Sequence, residues 1–413
     1  MARRATTTVF LVLSCVSAFC STVAFSVVAL YRYRVAGLDD FQLVLVGTVM
    51  EATIFVSEVP TGVVADLVSR RLSVIVGQVG MGAALLIEAM FPSLGGVLTG
   101  QAIWGLAYTF TSGATVAWVA GELGEPGEAE LTGLFLRAGR FGSAAALVGL
   151  PVAFGLGAWS LRSPIVAAGL VQIGLGCWLS INMTESGFVP VPKGDRSTWR
   201  HLATTGRSGL GEVRRSAPLR RIALVLFIAG GSSEAYDRYH QKHLLVDVGI
   251  PAIGPRSGLF WLGVVGCASS VLGIVVPGLV RRWQPGANRG RLSRWLTGLF
   301  AAEAVALIAF ALSGSFLLAA WGALVVERVR SVRQKLLGAW IVPVTPKAHR
   351  ATVLSALEQA DSVSQVTIGP AMGVIGQRYG LPVALLASAG ALLPAIPVVR
   401  FGRARRPRPG PRP

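Results

Sequence analysis

Residues 41–71 read FQLVLVGTVMEATIFVSEVPTGVVADLVSRR. From Phe41 to Val64 the only charges are Glu51 and Glu58. A helix rises about 1.5 Å per residue, so a run of this length spans the roughly 30 Å hydrocarbon core of a bilayer. The run ends on Asp66 and the basic pair Arg70 and Arg71, which belong at the headgroup level. One short stretch therefore holds a whole structural unit: an apolar span, then a charged loop.

The unit recurs outward in both directions. Apolar runs occupy 8–31, 41–64, 72–90, 95–120, 134–159 and 164–181, then 222–245, 258–280, 295–312, 315–342, 352–375 and 381–399. The tenth is broken by charge. The reading is an all-α polytopic membrane protein of about 12 transmembrane helices. With 53% hydrophobic and 14% charged residues, the chain lacks the charge a water-soluble surface of this size requires. Arg3 and Arg4 precede the first run in the manner of a signal peptide. That run is too long for a signal core and has no clear small-residue cleavage site, so it is read as a retained helix.

The net charge of +18 raises nucleic acid as a partner. The basic residues, however, sit between apolar runs, where they anchor against anionic lipid and set topology. Nucleic acid is therefore excluded, and lipid is the expected surface partner. Arg3, Arg4, Arg70, Arg71, Arg282, Arg291, Arg294 and the arginines of the tail all fall on one side. Both termini are then cytoplasmic and the protein lies in the cell membrane, with an even number of helices. Cys15, Cys20, Cys177 and Cys267 lie in apolar runs and read as small apolar side chains.

A polar segment, 184–218, divides the chain. Residues 1–183 form an N-terminal six-helix bundle, 184–218 a basic cytoplasmic linker, 219–402 a C-terminal bundle and 403–413 a basic tail. Residues 200–215 read equally as an amphipathic helix on the inner leaflet or as solvated linker. Segments 126–157 and 346–377 superpose without gaps, with Pro126 on Pro346, Thr132 on Thr352, Leu134 on Leu354 and Gly149 on Gly369. This weak internal repeat points to two halves of the same orientation.

The loop Gly62-Val63-Val64-Ala65-Asp66-Leu67-Val68-Ser69-Arg70-Arg71 resembles the loop signature of the major facilitator superfamily: Gly, Asp four residues later, then a basic pair. The preceding Glu58-Val59-Pro60-Thr61 resembles bacterial efflux-type members. The resemblance implies two six-helix bundles, with the first, fourth, seventh and tenth helices around a central cavity. It also implies a cytoplasmic gate of Gly62, Asp66, Arg70 and Arg71 meeting Glu58, Glu358 and Asp361. Two departures stand out. Ser69 replaces the usual Gly. The fourth run reads Gln101-Ala102-Ile103-Trp104-Gly105, without the Arg that many proton-coupled members carry.

Charges at mid-bilayer cost about 2.5–3.5 kcal/mol each, so they need partners or water. Glu234, Asp237 and Arg238 share one helical face, as do Glu327, Arg330 and Arg333. They read either as a substrate and ion pathway or as a permanent bracing network. Glu51 is the better proton-site candidate, and Glu58 reads as a gate contact. Trp104 and Tyr108, one turn apart, form an aromatic wall that suits an amphipathic organic substrate. Glu88 and Glu303 read as structural, and Trp118 as a lipid contact or an interface anchor. There is no phosphate-cradling loop, no metal-ligand spacing and no cofactor motif. The reading is a monomeric secondary transporter of a small organic solute, proton-coupled and outward. The rivals are an importer or uniporter of the same fold, and a transport-inactive sensor or membrane enzyme.

Overall fold

The structure is a computed structural model that describes residues 2–124, 128–188, 211–252, 257–283, 289–341, 344 and 350–400. Most of the linker and the whole tail, Pro126 and Pro346 of the repeat, and the side chain of Asp66 lie outside the described residues. The N-terminal half comprises α1 (Ala2–Arg34), α2 (Asp40–Leu67), α3 (Arg70–Met90), α4 (Leu94–Glu122), α5 (Glu128–Gly157) and α6 (Arg162–Asn182). The C-terminal half comprises α7 (Ala217–Lys242), α8 (Ser257–Arg282), α9 (Arg289–Ala311), α10 (Phe316–Ile341), α11 (Arg350–Tyr379) and α12 (Leu381–Leu392). A π-helical turn, His243–Asp247, extends α7, and a short α13 (Ala395–Arg400) completes the last span. The described residues thus form a membrane protein of twelve helical spans in two six-helix bundles.

Local sequence sets the helix starts. Asp39 and Gln42 form a reciprocal capping box on α2: the Gln42 amide donates to Asp39 Oδ1 at 2.8 Å, and the Asp39 amide to Gln42 Oε1 at 3.1 Å. Ser69 Oγ caps α3 by accepting from the Leu72 amide at 2.9 Å. The departure from Gly at Ser69 thus has a physical role. Gly380, at φ +89°, makes the tight turn between α11 and α12 that a side chain would strain.

Lipid gives apolar side chains no drive to leave it, so helices in a bilayer associate through close packing and internal polar contacts. Both occur here. Gly82 of α3 lies against the Gly169 carbonyl of α6, with no room for a Cβ between the backbones. Arg32 of α1 is paired with Glu88 of α3 at 2.7 and 2.9 Å, and Gln101 of α4 donates to the same carboxylate at 2.8 Å. In the other half Arg333 of α10 holds Glu303 of α9 at 2.6 and 3.1 Å, with its guanidinium 4.8 Å from the centre of the Phe300 ring. All four of these charged residues are buried. Val148, Leu170, Ile274, Leu317 and Trp321, by contrast, are exposed on the outer surface.

Eight of the described helices are apolar enough to cross a membrane by composition alone. The ones that fall short are α4, α7, α10 and α11, which bury polar residues such as Gln101, Glu234, Arg333 and Ser364.

Candidate functional site

Those four helices, with α2, enclose a cavity of about 710 Å³ between the halves. Its wall takes Glu51 and Glu58 from α2, Trp104 and Tyr108 from α4, Ser233 from α7, Arg330 and Arg333 from α10, and Glu358 and Asp361 from α11. The lining residues run from mid-length of α2, α4 and α7 to the last turns of α10 and the first half of α11. The cavity therefore starts at the middle of the molecule and extends toward the end that carries α1's first turn. Glu358 is exposed, and a side chain added at Gly62 would meet open space.

The other end is closed. Lys242 of α7 pairs with Asp40 at 2.5 Å and sits 4.4 Å above the Tyr33 ring. Tyr239 donates its hydroxyl to the Asp40 carbonyl at 2.7 Å. Gly373 of α11 lets Phe41 and Val44 of α2 come close. Phe154 of α5 rests on Gly263 of α8.

On the cavity's N-terminal side Trp104 and Tyr108 are stacked, with centroids 5.4 Å apart and planes 8° apart. Phe25 meets the Trp104 ring edge-on at 5.6 Å. On the C-terminal side Arg330 grips Asp237 with both nitrogens, at 2.5 and 2.8 Å. Asp361 accepts from Gln365 Nε2 at 2.8 Å.

The charged triplet of α7 is divided. Asp237 and Arg238 line a smaller chamber of about 330 Å³ toward the closed end, with Gln101, Trp104 and His240. Asp237 touches Arg330 directly, so α7 and α10 are joined here rather than facing one another over water. Glu234 is buried, and its Oε2 lies 3.5 Å from Arg238 Nε. Neither atom makes a hydrogen bond. The Arg238 guanidinium lies over Gly47 of α2, where a Cβ would collide with it. Glu327 stands apart from Arg330. It lies 3.4 Å from Arg328 and lines a pocket of about 210 Å³ beside α8.

The loop arginines bond within the N-terminal half. Arg70 donates to the Ala117 carbonyl at 3.1 Å, and Arg71 to the Ser180 carbonyl. Glu185 accepts from Ser69 Oγ at 2.5 Å and from the Arg71 amide at 2.9 Å. Trp118 neither contacts lipid nor anchors at the interface. It is buried, and its indole donates to the Thr184 carbonyl at 2.6 Å. The segment after α6 covers it, a contact that the spacing of aromatics along α4 leaves hidden.

Nothing in the spacing of the sequence marks Glu185, Gln101 and Gly47 as partners of these groups. Glu185 lies in a polar stretch beyond a span, and Gly47 is one small residue among many. Gln101 carried one usable signal, since it is the residue at the position where many members have Arg.

This architecture is the major facilitator fold. No family model and no curated protein matches the chain by sequence. Solved structures do match it. A transporter of the POT family in complex with 5-aminolevulinic acid has a TM-score of 0.75 at 12% identity, covering 96% of this chain and 94% of that one. A variant of the nucleoside transporter NupG has a TM-score of 0.75 at 12% identity, covering 97% and 100%. A peptide transporter POT in complex with sulfate has a TM-score of 0.74 at 13% identity, covering 95% and 93%. At these identities the likeness is one of fold.

Proposed function

We propose that the protein is a secondary transporter that moves a small organic solute by alternating access. The observation that carries this reading is the 710 Å³ cavity, built from both halves, accessible at one end and sealed at the other by Asp40, Lys242 and Tyr239. Rocking the halves would exchange the two seals. The basic loops put the accessible end on the cytoplasmic face, so the structure is read as inward-facing, in the cell membrane, with both termini inside. The structural neighbours transport or bind small solutes, which supports the same class.

Outward, proton-coupled movement by a monomer is the specific form proposed. Glu51 lines the cavity and Glu234 lies buried at the junction of α2, α7 and α11; these are the proton-carrying candidates. Gly62, Asp66, Arg70 and Arg71 with Glu58, Glu358 and Asp361 form the proposed inner gate. Open space at Gly62 supports a movable end there. One observation favours the rival importer or uniporter. The family's helix 4 Arg position holds Gln101, and this side chain is committed to Glu88. The test is purified protein in liposomes with an imposed pH gradient. Solute-dependent collapse of the gradient supports coupled exchange. Solute flux indifferent to the gradient supports a uniporter, and absence of any flux across a broad solute panel removes the transporter reading.

A further inference from the structure

The cavity's charge is unbalanced in one direction. Four carboxylates line it: Glu51 and Glu58 from one half, Glu358 and Asp361 from the other. Its two arginines are already committed. Arg330 is held by Asp237, and Arg333 by Glu303. Among the described residues no basic group lies within ion-pair distance of any of the four carboxylates. Independently of them, the facing wall is the stacked pair Trp104 and Tyr108, with Phe25 behind. The electron-rich faces of such rings attract cations and flat apolar groups.

Resting on the transporter reading, we infer that this cavity takes an organic cation, an amphipathic molecule with an amine or delocalised positive charge. The aromatic stack holds its apolar body, and carboxylates of α2 and α11 neutralise its charge. The same arrangement makes closure depend on loading. The carboxylates are divided between halves, so closing the inner end on an empty, ionised cavity drives like charges together in a low dielectric. A cation between α2 and α11 removes that repulsion. Protons taken up by the carboxylates remove it too, so cation and protons would compete for one set of groups, as an exchanger requires.

The probe is tetraphenylphosphonium, with tetraphenylborate as an anion of the same shape. Binding to the purified protein is measured by equilibrium dialysis, with empty micelles subtracted. Specific binding of the cation alone is expected. Glu51→Gln and Asp361→Asn should each weaken it about tenfold or more, which is about 1.4 kcal/mol or more. Trp104→Ala should weaken it, and Trp104→Phe should retain it. Asp247→Asn, the same loss of charge at the closed end, should leave it unchanged. Each variant is used only if it elutes and melts like the parent. Equal binding of tetraphenylborate, or cation binding indifferent to all the cavity carboxylates, overturns the inference. A separate readout guards the underlying reading: labelling of cysteines placed at Ser112 and Ala29, on the inner cavity and the outer chamber, in a background lacking native cysteines. If accessibility alternates between them but tetraphenylphosphonium does not bind, only the cation inference falls. If it never alternates, the transporter reading falls.

Discussion

Asp237 of α7 and Arg330 of α10 form a two-pronged ion pair, and this pair is the main polar tie between the two most charged helices of the protein. It sits at the cavity wall, with both side chains partly exposed. It is therefore screened more than Arg333–Glu303 or Arg32–Glu88, which are buried outright.

That difference predicts an order of stability. Removing one partner of a buried pair strands a charge and costs about 3–5 kcal/mol. Hydrogen bonds to a charged group that water can reach contribute about 1.5–3 kcal/mol. Glu88→Gln and Glu303→Gln should thus lower the melting temperature more than Asp237→Asn. Double replacement Asp237→Arg with Arg330→Asp should recover part of the Asp237→Asn loss. Thermal unfolding in detergent measures all four; equal effects at the three sites would contradict the burial argument.

The outer seal yields a second expectation. Lys242 loses its anionic partner in Asp40→Asn, and Gly373→Val drives a branched side chain into Phe41 and Val44. Both changes weaken the closed end and shift the population toward the state open there. Labelling of a cysteine at Ala29 should rise, and labelling at Ser112 should fall. Unchanged labelling at both would mean that other contacts hold that end shut.

A pH dependence follows from Glu122, which lies just beyond the apolar run of α4. Burial alone would raise its carboxyl. The Gly187 amide and the Ser186 and Thr184 hydroxyls donate to it and together hold it below the usual range. A lowered folded-state value stabilises the docked segment above the unfolded value. The contribution is lost as pH falls through the lowered one. The protection of residues 183–188 against hydrogen exchange, taken relative to their intrinsic rates, should therefore fall in acid below the ordinary glutamate range, and Glu122→Gln should lower it at neutral pH. Protection that is flat with pH in the parent would remove the assignment.

Much of the architecture was legible because lipid leaves few choices. The run 315–342 reads as a span despite its charges and becomes Phe316–Ile341; the run 72–90 becomes Arg70–Met90. Pairing was far less legible. Glu234, Asp237 and Arg238 share a face by spacing, yet Asp237 turns to Arg330 while Arg238 stays with Glu234. Arg333 joins Glu303, and Arg32 joins Glu88, residues that read singly. Periodicity fixes which residues share a face of one helix. It leaves open how each helix is rotated against its neighbours, and that rotation chooses partners.

Glu234 gives the last prediction. It is buried where α2, α7 and α11 meet, close to Gly369, and its ion pair with Arg238 is long at 3.5 Å. An ionised carboxylate with an unmatched oxygen is an unfavourable thing to bury. Glu234→Gln removes the charge without changing shape, and Arg238, unlike Arg32 and Arg333, is partly exposed and lines a chamber, so it is not stranded dry and the fold should lose little or no stability. Arg238, resting on Gly47, would lose its nearest anion. If the pair re-forms and separates as the halves rock, Glu234→Gln should abolish solute flux driven by a pH gradient while leaving solute-for-solute exchange intact. Gly47→Ala, which pushes the guanidinium off its seat, should impair both. Stability is read by thermal unfolding and the two fluxes in the same liposomes. Gradient-driven flux that survives in Glu234→Gln would confine this residue to bracing and move the coupling role to Glu51.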